Sequence, residues 1–232
     1  EYELPEVYDG ITLPTEESSP WYAFKLDVTR PPQGDNLGEV EKMAETLILP
    51  IEREDADALA QRLGMERIED CIYLGFESSI PQIDADKFGD MHDFDQLNNL
   101  SEMMLEMSPS DQVKFKAVLS AEEPENIEQV LDIARSLDQY EFAPMVEDEA
   151  HFFKSYIQRH LDTKVDPRWL DSLLARNEGT ELLERVGGTL TDYGVISSRG
   201  GTLYEPVSRY EPEQAETEEI EHNEIKQTIG GN

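Results

Sequence analysis

Apolar and polar positions change period along the chain. From Trp21 to Val28 the large apolar residues alternate (Tyr22, Phe24, Leu26, Val28), which predicts a strand with one buried face. Arg30-Pro-Pro-Gln-Gly-Asp-Asn36 predicts a turn. A second strand is predicted over Ala44–Leu49, and Pro50 confines it to an edge or an end. Ala56, Leu59, Ala60 and Leu63 share one face of a helix over Glu54–Leu63, with Gly64 suited to its C-cap. Cys71–Phe76 reads as a third strand, and the proline-containing strip Glu1–Pro20 as a loop extension.

The period then becomes helical. Phe94, Leu97, Leu100, Met104 and Met107 recur on one face, and Ser108-Pro109 supplies an N-cap and a first helical residue. Val113, Ala117, Val118 and Leu119 continue that helix. Pro124 predicts the start of another, striped by Ile127, Val130, Leu131, Ala134 and Leu137. Further helices are predicted at 148–161 (Phe152, Phe153, Tyr156, Ile157, Leu161), at 167–176 (Trp169, Leu170, Leu173, Leu174) behind Asp166-Pro167, and at Glu181–Val186, stopped by Gly187-Gly188. Gly194–Ser197 and Thr202–Glu205 flank Arg199-Gly-Gly201 and predict a β-hairpin. The predicted class is α+β: an elongated chain of three small domains. These are an N-terminal α+β domain (21–93) behind an extension (1–20), an acidic helical bundle (94–144), and a C-terminal α+β domain with a β-hairpin (145–207). A disordered acidic tail (208–232) is expected to follow.

Charge changes the picture most. The 232 residues include 52 Asp and Glu against 19 Lys and Arg, a net charge of −33. A small domain ordinarily carries a net charge of magnitude about 2–8. The excess is not a terminal tail: residues 1–93 hold 23 acids and 7 bases, and residues 94–144 hold 11 and 3. Direct binding to nucleic acid or to an anionic membrane is disfavoured, because phosphate contacts need Lys and Arg. No apolar run approaches a membrane span and no basic-then-apolar leader opens the sequence. Cys71 has no second cysteine to pair with, which fits a reducing compartment. A soluble, cytoplasmic protein is expected.

Sites for chemistry are sparse. Carboxylate pairs are too numerous to discriminate, since catalytic pairs need a cleft that splits their pKa values. His92, His151, His160 and His222 form no His-Glu-x-x-His motif and have no cysteine pair beside them. Asp84, Asp86, Gly89 and Asp95 fall on positions 1, 3, 6 and 12 of a calcium loop. However, Phe88 at position 5 offers no oxygen, Asp95 is shorter than the usual Glu, and Pro81 interrupts an incoming helix. The run reads as an acidic linker. Met103, Met104 and Met107 read as bundle core. Neither a phosphate loop, a dinucleotide fingerprint nor a serine elbow is present. A binding protein with no catalytic residue, metal or cofactor is expected. Its acids recur unrelieved: Glu102 and Glu106 four apart, then Glu122, Glu125 and Glu128 three apart, with Asp132 beyond. Such spacing destabilises an isolated helix. At one charge per roughly 1.7 Å of duplex, the excess charge matches about 56 Å, or roughly 16 base pairs.

An ordered series of segments resembles the ArdA antirestriction proteins of conjugative elements and phages. It comprises Thr46-Leu-Ile-Leu-Pro-Ile51, Ile72-Tyr-Leu-Gly-Phe-Glu-Ser-Ser-Ile-Pro81, Phe94-Asp-Gln-Leu-Asn-Asn-Leu-Ser-Glu-Met103 and Phe115-Lys-Ala-Val-Leu119. Glu125-Asn-Ile-Glu-Gln-Val130, Ala150-His-Phe-Phe-Lys-Ser-Tyr156 and the segment Gly194–Glu205 complete it. The resemblance spans roughly residues 22–207; residues 1–20, 30–41 and the tail have no counterpart. It implies a dimeric DNA mimic that occupies the DNA-recognition and methyltransferase core of a type I restriction-modification enzyme. It further implies phosphate-mimicking roles for Glu102, Glu106, Asp111, Glu122, Glu123, Glu125, Glu128 and Asp132. Glu52, Glu54, Asp55, Asp57, Glu69, Asp70 and Glu77 would extend the track. Val195, Ile196, Leu203 and Tyr204 become the candidate dimer surface. The same mimicry could be aimed at a CRISPR effector, another defence nuclease or a nucleoid protein. Of a different class are a metal-dependent hydrolase using Asp84–Asp95 and an acidic chaperone-like adaptor acting through the tail.

Overall fold

The computed structural model describes residues 22–32, 43–160, 168 and 173–204, together with the backbone of a short antiparallel pair, β1 (Val7–Tyr8) and β2 (Ile11–Thr12), within the expected loop extension. Alternation makes β3 (Phe24–Thr29) the centre of the first sheet. Phe24, Leu26 and Val28 are buried on one face, while Lys25 and Asp27 lie on the other. It pairs antiparallel with β4 (Glu45–Leu49) and β5 (Ile72–Ser78), setting Leu26 opposite Leu47 on one side and Phe76 on the other. β4 is an edge strand ending just before Pro50, as a residue without an N–H requires. The pairing of β5 passes from Gly75 to Tyr73, so Leu74 is skipped in a bulge and stands 44% exposed. Helix α1 (Arg53–Arg62) buries Ala56, Leu59 and Ala60.

A single turn, α2 (Ala85–Phe88), leads into α3 (Phe94–Glu106), α4 (Pro109–Glu122) and α5 (Ile127–Arg135). Local chemistry sets these boundaries. The Ser108 hydroxyl accepts the Asp111 N–H at 3.1 Å and donates to the Asp111 carboxylate at 2.7 Å, closing the start of α4. The third of these helices starts at Ile127 rather than at Pro124, because Asn126 accepts the Gln129 N–H and acts as its cap. Leu137 is buried in a 3₁₀ turn beyond the end of α5. One continuous set of buried side chains runs from Ala23 to Tyr140 and takes in Tyr193 and Ile196.

The C-terminal part contains β6 (Phe142–Pro144), α6 (Glu149–His160), α7 (Leu173–Val186), β7 (Gly188–Thr191) and β8 (Gly194–Ser197). The strands form an antiparallel sheet in the order β6-β8-β7. Phe152, Phe153, Leu182, Leu183, Val195 and Leu203 belong to a second buried cluster, so adjacent residues of β8 enter different cores.

The C-terminal elements differ from the predicted ones in several places. The hairpin is β7–β8, turning at Asp192-Tyr193, one step upstream of the predicted one. Gly187-Gly188 does end a helix, through the positive φ of Gly187, but Gly188 also opens β7, where a Cβ would crowd Leu183, Leu203 and Val195. Arg199-Gly-Gly201 is a turn that docks rather than a strand connection: the Gly200 N–H donates to the Gln139 carbonyl at 2.8 Å. Thr202–Tyr204 is not a strand. Its Leu203 N–H and Thr202 hydroxyl donate to the Glu141 carboxylate at 2.8 and 3.1 Å. Finally, residues 173–186 form one helix rather than the ends of two. Gly179 lies inside it because a Cβ there would come within 2.0 Å of the Glu149 carbonyl oxygen. Among the described residues the fold is mixed α+β, with seven α-helices and two three-stranded antiparallel sheets besides β1–β2. Expectations for the rest of 1–21, for 33–36, 161–167 and 169–172, for the side chains of Leu173 and Leu174, and for 205–232 lie outside the described residues.

Candidate acidic protein-binding surface

The core stripes of α3, α4 and α5 force the intervening positions outward. With Leu97, Leu100 and Met104 inside, Glu102 and Glu106 stand exposed on α3. Glu122 and Glu123 end α4, Glu125 follows, and Glu128 lies in the first turn of α5; all are exposed. Among the described residues no ion pair involves any of these six. Glu122 does meet the Tyr140 hydroxyl, whose pKa is raised by burial and by that carboxylate.

Their helix positions are informative. Carboxylates favour a helix N-terminus and cations its C-terminus, each by about 0.3–1 kcal/mol. α1 and α5 obey this, with acids in the first turn and Arg62 or Arg135 in the last. α3 and α4 do not: neither has a base in its last turn, and Glu106 and Glu122 end them. Glu123 also adopts a left-handed backbone, φ 46°, at the C-cap of α4, where a non-glycine residue costs about 1–2 kcal/mol. Helix stability therefore does not account for Glu106, Glu122 and Glu123.

Other predicted acids are committed inside the chain. Arg53 binds three carboxylates: Asp57 at 3.1 Å, Glu69 at 2.6 Å and Asp95 at 2.8 Å. Asp57 also accepts the Ile68 N–H at 3.0 Å. Burial opposes ionisation of Glu69, but hydrogen bonds from Arg53 and the backbone outweigh it and hold its pKa below the usual range. Asp70 accepts the Arg67 N–H. Glu77 accepts the Tyr22 hydroxyl and pairs with Lys25, and both lower its pKa. Asp111 is the Ser108 cap partner, and Asp132 is bound by Arg199 at 2.6 Å. Glu52, Glu54 and Asp55 remain exposed at the start of α1.

The structure separates other candidates too. Val195, Ile196 and Leu203 are 0, 1 and 0% exposed within the chain's own cores, and half-buried Tyr204 packs under the Arg159 guanidinium. The first three side chains therefore have no surface left for a second copy. Met104 is core, but Met103 and Met107 are only half-buried. They line a groove of about 420 Å³ between α3, α4 and α5. A second groove, of about 440 Å³, lies among Glu122, Glu128, Asp132, Tyr140 and Arg199. Neither groove was visible in the sequence, since each joins side chains from separate elements. Asp84 and Asp90 accept backbone N–H groups of Lys87 and His92, and among the described residues no group of three or more His, Cys, Asp or Glu is placed to hold a metal ion. No described helix is long and apolar enough to cross a membrane.

Comparison with family models and with curated proteins yields no match.

Proposed function

We propose that this chain is a non-enzymatic DNA mimic whose surface carboxylates compete with duplex DNA for a cationic binding cleft. The observation that carries the reading is the set Glu102, Glu106, Glu122, Glu123, Glu125 and Glu128. These acids are exposed, without an ion pair among the described residues, and partly sited where helix dipoles oppose them. The N-terminal acids Asp57, Glu69, Asp70 and Glu77 already have internal partners, so the contacts centre on α3–α5.

The target proposed is the DNA-recognition and methyltransferase core of a type I restriction-modification enzyme in the cytoplasm. Charge does not select that target; the ordered resemblance to the ArdA proteins supports it. The same proposal includes an elongated body of three small domains and a homodimer that lengthens the acidic track. Carboxylates would meet the Lys and Arg that otherwise hold phosphates and displace their counter-anions, making association fast and salt-sensitive. Calorimetry of the purified chain with the enzyme core, without DNA, tests this. A complex whose affinity falls steeply with salt is expected; an absence of heat at low salt at two temperatures, with no complex on gel filtration, would count against it.

A further inference from the structure

The groove between α3, α4 and α5 has properties that a purely phosphate-like surface does not need. Its floor is apolar: half-buried Met103 and Met107, one helical turn apart, with Ala134 and Leu137 opposite. Its rim is acidic, with Glu106, Asp111 and Asp138. Two cations also line it, and both are offset: Lys114 faces Asp111, Asp138 and Glu141, and Arg135 faces Asp132. At about 420 Å³ it falls within the range of about 300–1,000 Å³ found for ligand clefts. Methionine is unbranched and polarisable, which suits an adaptable contact surface.

We propose that this groove docks a basic amphipathic helix of a partner protein, with two apolar side chains four residues apart seated on Met103 and Met107. Lysine or arginine flanking those anchors meets Glu106 and Asp138. Charge complementarity selects this occupant: among the described residues Glu106 has no ion pair and neither cation of the groove is set against it. An apolar anchor alone would leave that carboxylate without counter-charge, and a basic strand without anchors would leave the methionines wet. Recognition then follows the helix-in-groove pattern, with apolar anchors supplying affinity and rim charges orientation. The inference deepens the binding reading above by adding an apolar requirement to the partner's cationic face.

The probe is a synthetic helical peptide of leucine and lysine at amphipathic spacing, titrated into the full chain by fluorescence anisotropy. A second peptide replaces leucine by serine at equal charge. The leucine peptide is expected to bind at least about tenfold tighter, and the gap is expected to persist at about 0.5 M salt, where exposed charges are screened. Met103→Gln with Met107→Gln should close the gap, and Met103→Leu with Met107→Leu should keep it, which separates loss of the groove from loss of the fold. Equal affinity of the two peptides, or a gap indifferent to the glutamine substitutions, overturns the proposal. DNA displacement that survives when the peptide preference is absent removes the groove and leaves the mimicry standing. The converse result supports the groove alone.

Discussion

The Arg199 guanidinium lies 2.6 Å from the Asp132 carboxylate, joining residues 67 apart in sequence across the edge of the acidic surface. Its Nε donates to the Gln139 side chain at 3.0 Å, and the next residue, Gly200, donates its N–H to the Gln139 carbonyl. Arg199 thereby neutralises one predicted phosphate mimic, while the Gly200 N–H holds the turn that follows β8.

Removing that neutralisation should sharpen the surface. Arg199→Ala is expected to leave the melting temperature nearly unchanged, because exposed pairs contribute little. It should also strengthen inhibition of DNA binding at low salt, since Asp132 is released. Asp132→Asn in the same background should return inhibition to the parental level. Melting curves and half-inhibitory concentrations at two salt levels test both expectations.

Acids with internal duties should behave oppositely to exposed ones. Glu141→Ala deletes the acceptor for the Leu203 N–H and the Thr202 hydroxyl and should cost about 1–3 kcal/mol of stability. Glu102→Gln with Glu106→Gln should not destabilise, because it relieves an i, i+4 repulsion of about 0.2–0.5 kcal/mol, yet should weaken inhibition. Urea titration of each variant beside its inhibition assay separates the classes.

The pH profile has a definite sign. Glu69 and Asp148 have folded pKa values below their ordinary ones. Burial opposes and Arg53 favours ionisation at Glu69, and the His151 N–H leads at Asp148. A depressed folded pKa gives stability that is present above the unfolded pKa and lost as pH falls through the folded one. The stability that Glu69 and Asp148 contribute should therefore be present at neutral pH and be lost as pH falls below the ordinary carboxylate range of about 4, lowering the melting temperature there. A melting temperature indifferent to acid below about pH 4 would contradict this, and Glu69→Gln should flatten the acid limb.

The approach of α6 to α7 depends on one missing side chain. Gly179→Ala places a Cβ 2.0 Å from the Glu149 carbonyl oxygen, and backbone there has no rotamer by which to yield. A loss of at least about 1–3 kcal/mol is expected, read as a lowered urea midpoint.

What the sequence displayed, and what it concealed, follows from the range of the interactions. α3 and α4 were legible because their signals are local: an apolar stripe, and the Ser108-Pro109 cap. The exposed acids of α3–α5 followed as the complement of those stripes. The hairpin was misplaced because glycine has several uses that look alike in a sequence. Gly188 and Gly194 serve close sheet contacts, while Gly200-Gly201 serves a docked turn. Val195, Ile196 and Leu203 have the pattern of an apolar surface strand, yet β8 is the middle strand of its sheet and lies between two cores. The commitment of Glu69 and Asp95 to the Arg53 guanidinium is set by tertiary proximity, and no spacing announces it; only Asp57, four residues on in the same helix, is a local partner.

Displacement of a labelled duplex from a type I methyltransferase core measures the proposed competition with DNA most directly. The chain is expected to release the duplex near equimolar ratio at low salt. Release should weaken as salt rises, and by at least about tenfold when Glu102, Glu106, Glu122, Glu125 and Glu128 are all changed to Gln. Duplex that stays bound at low salt under about tenfold molar excess of the chain, a ratio at which a competitor of comparable affinity would displace most of it, would contradict the account.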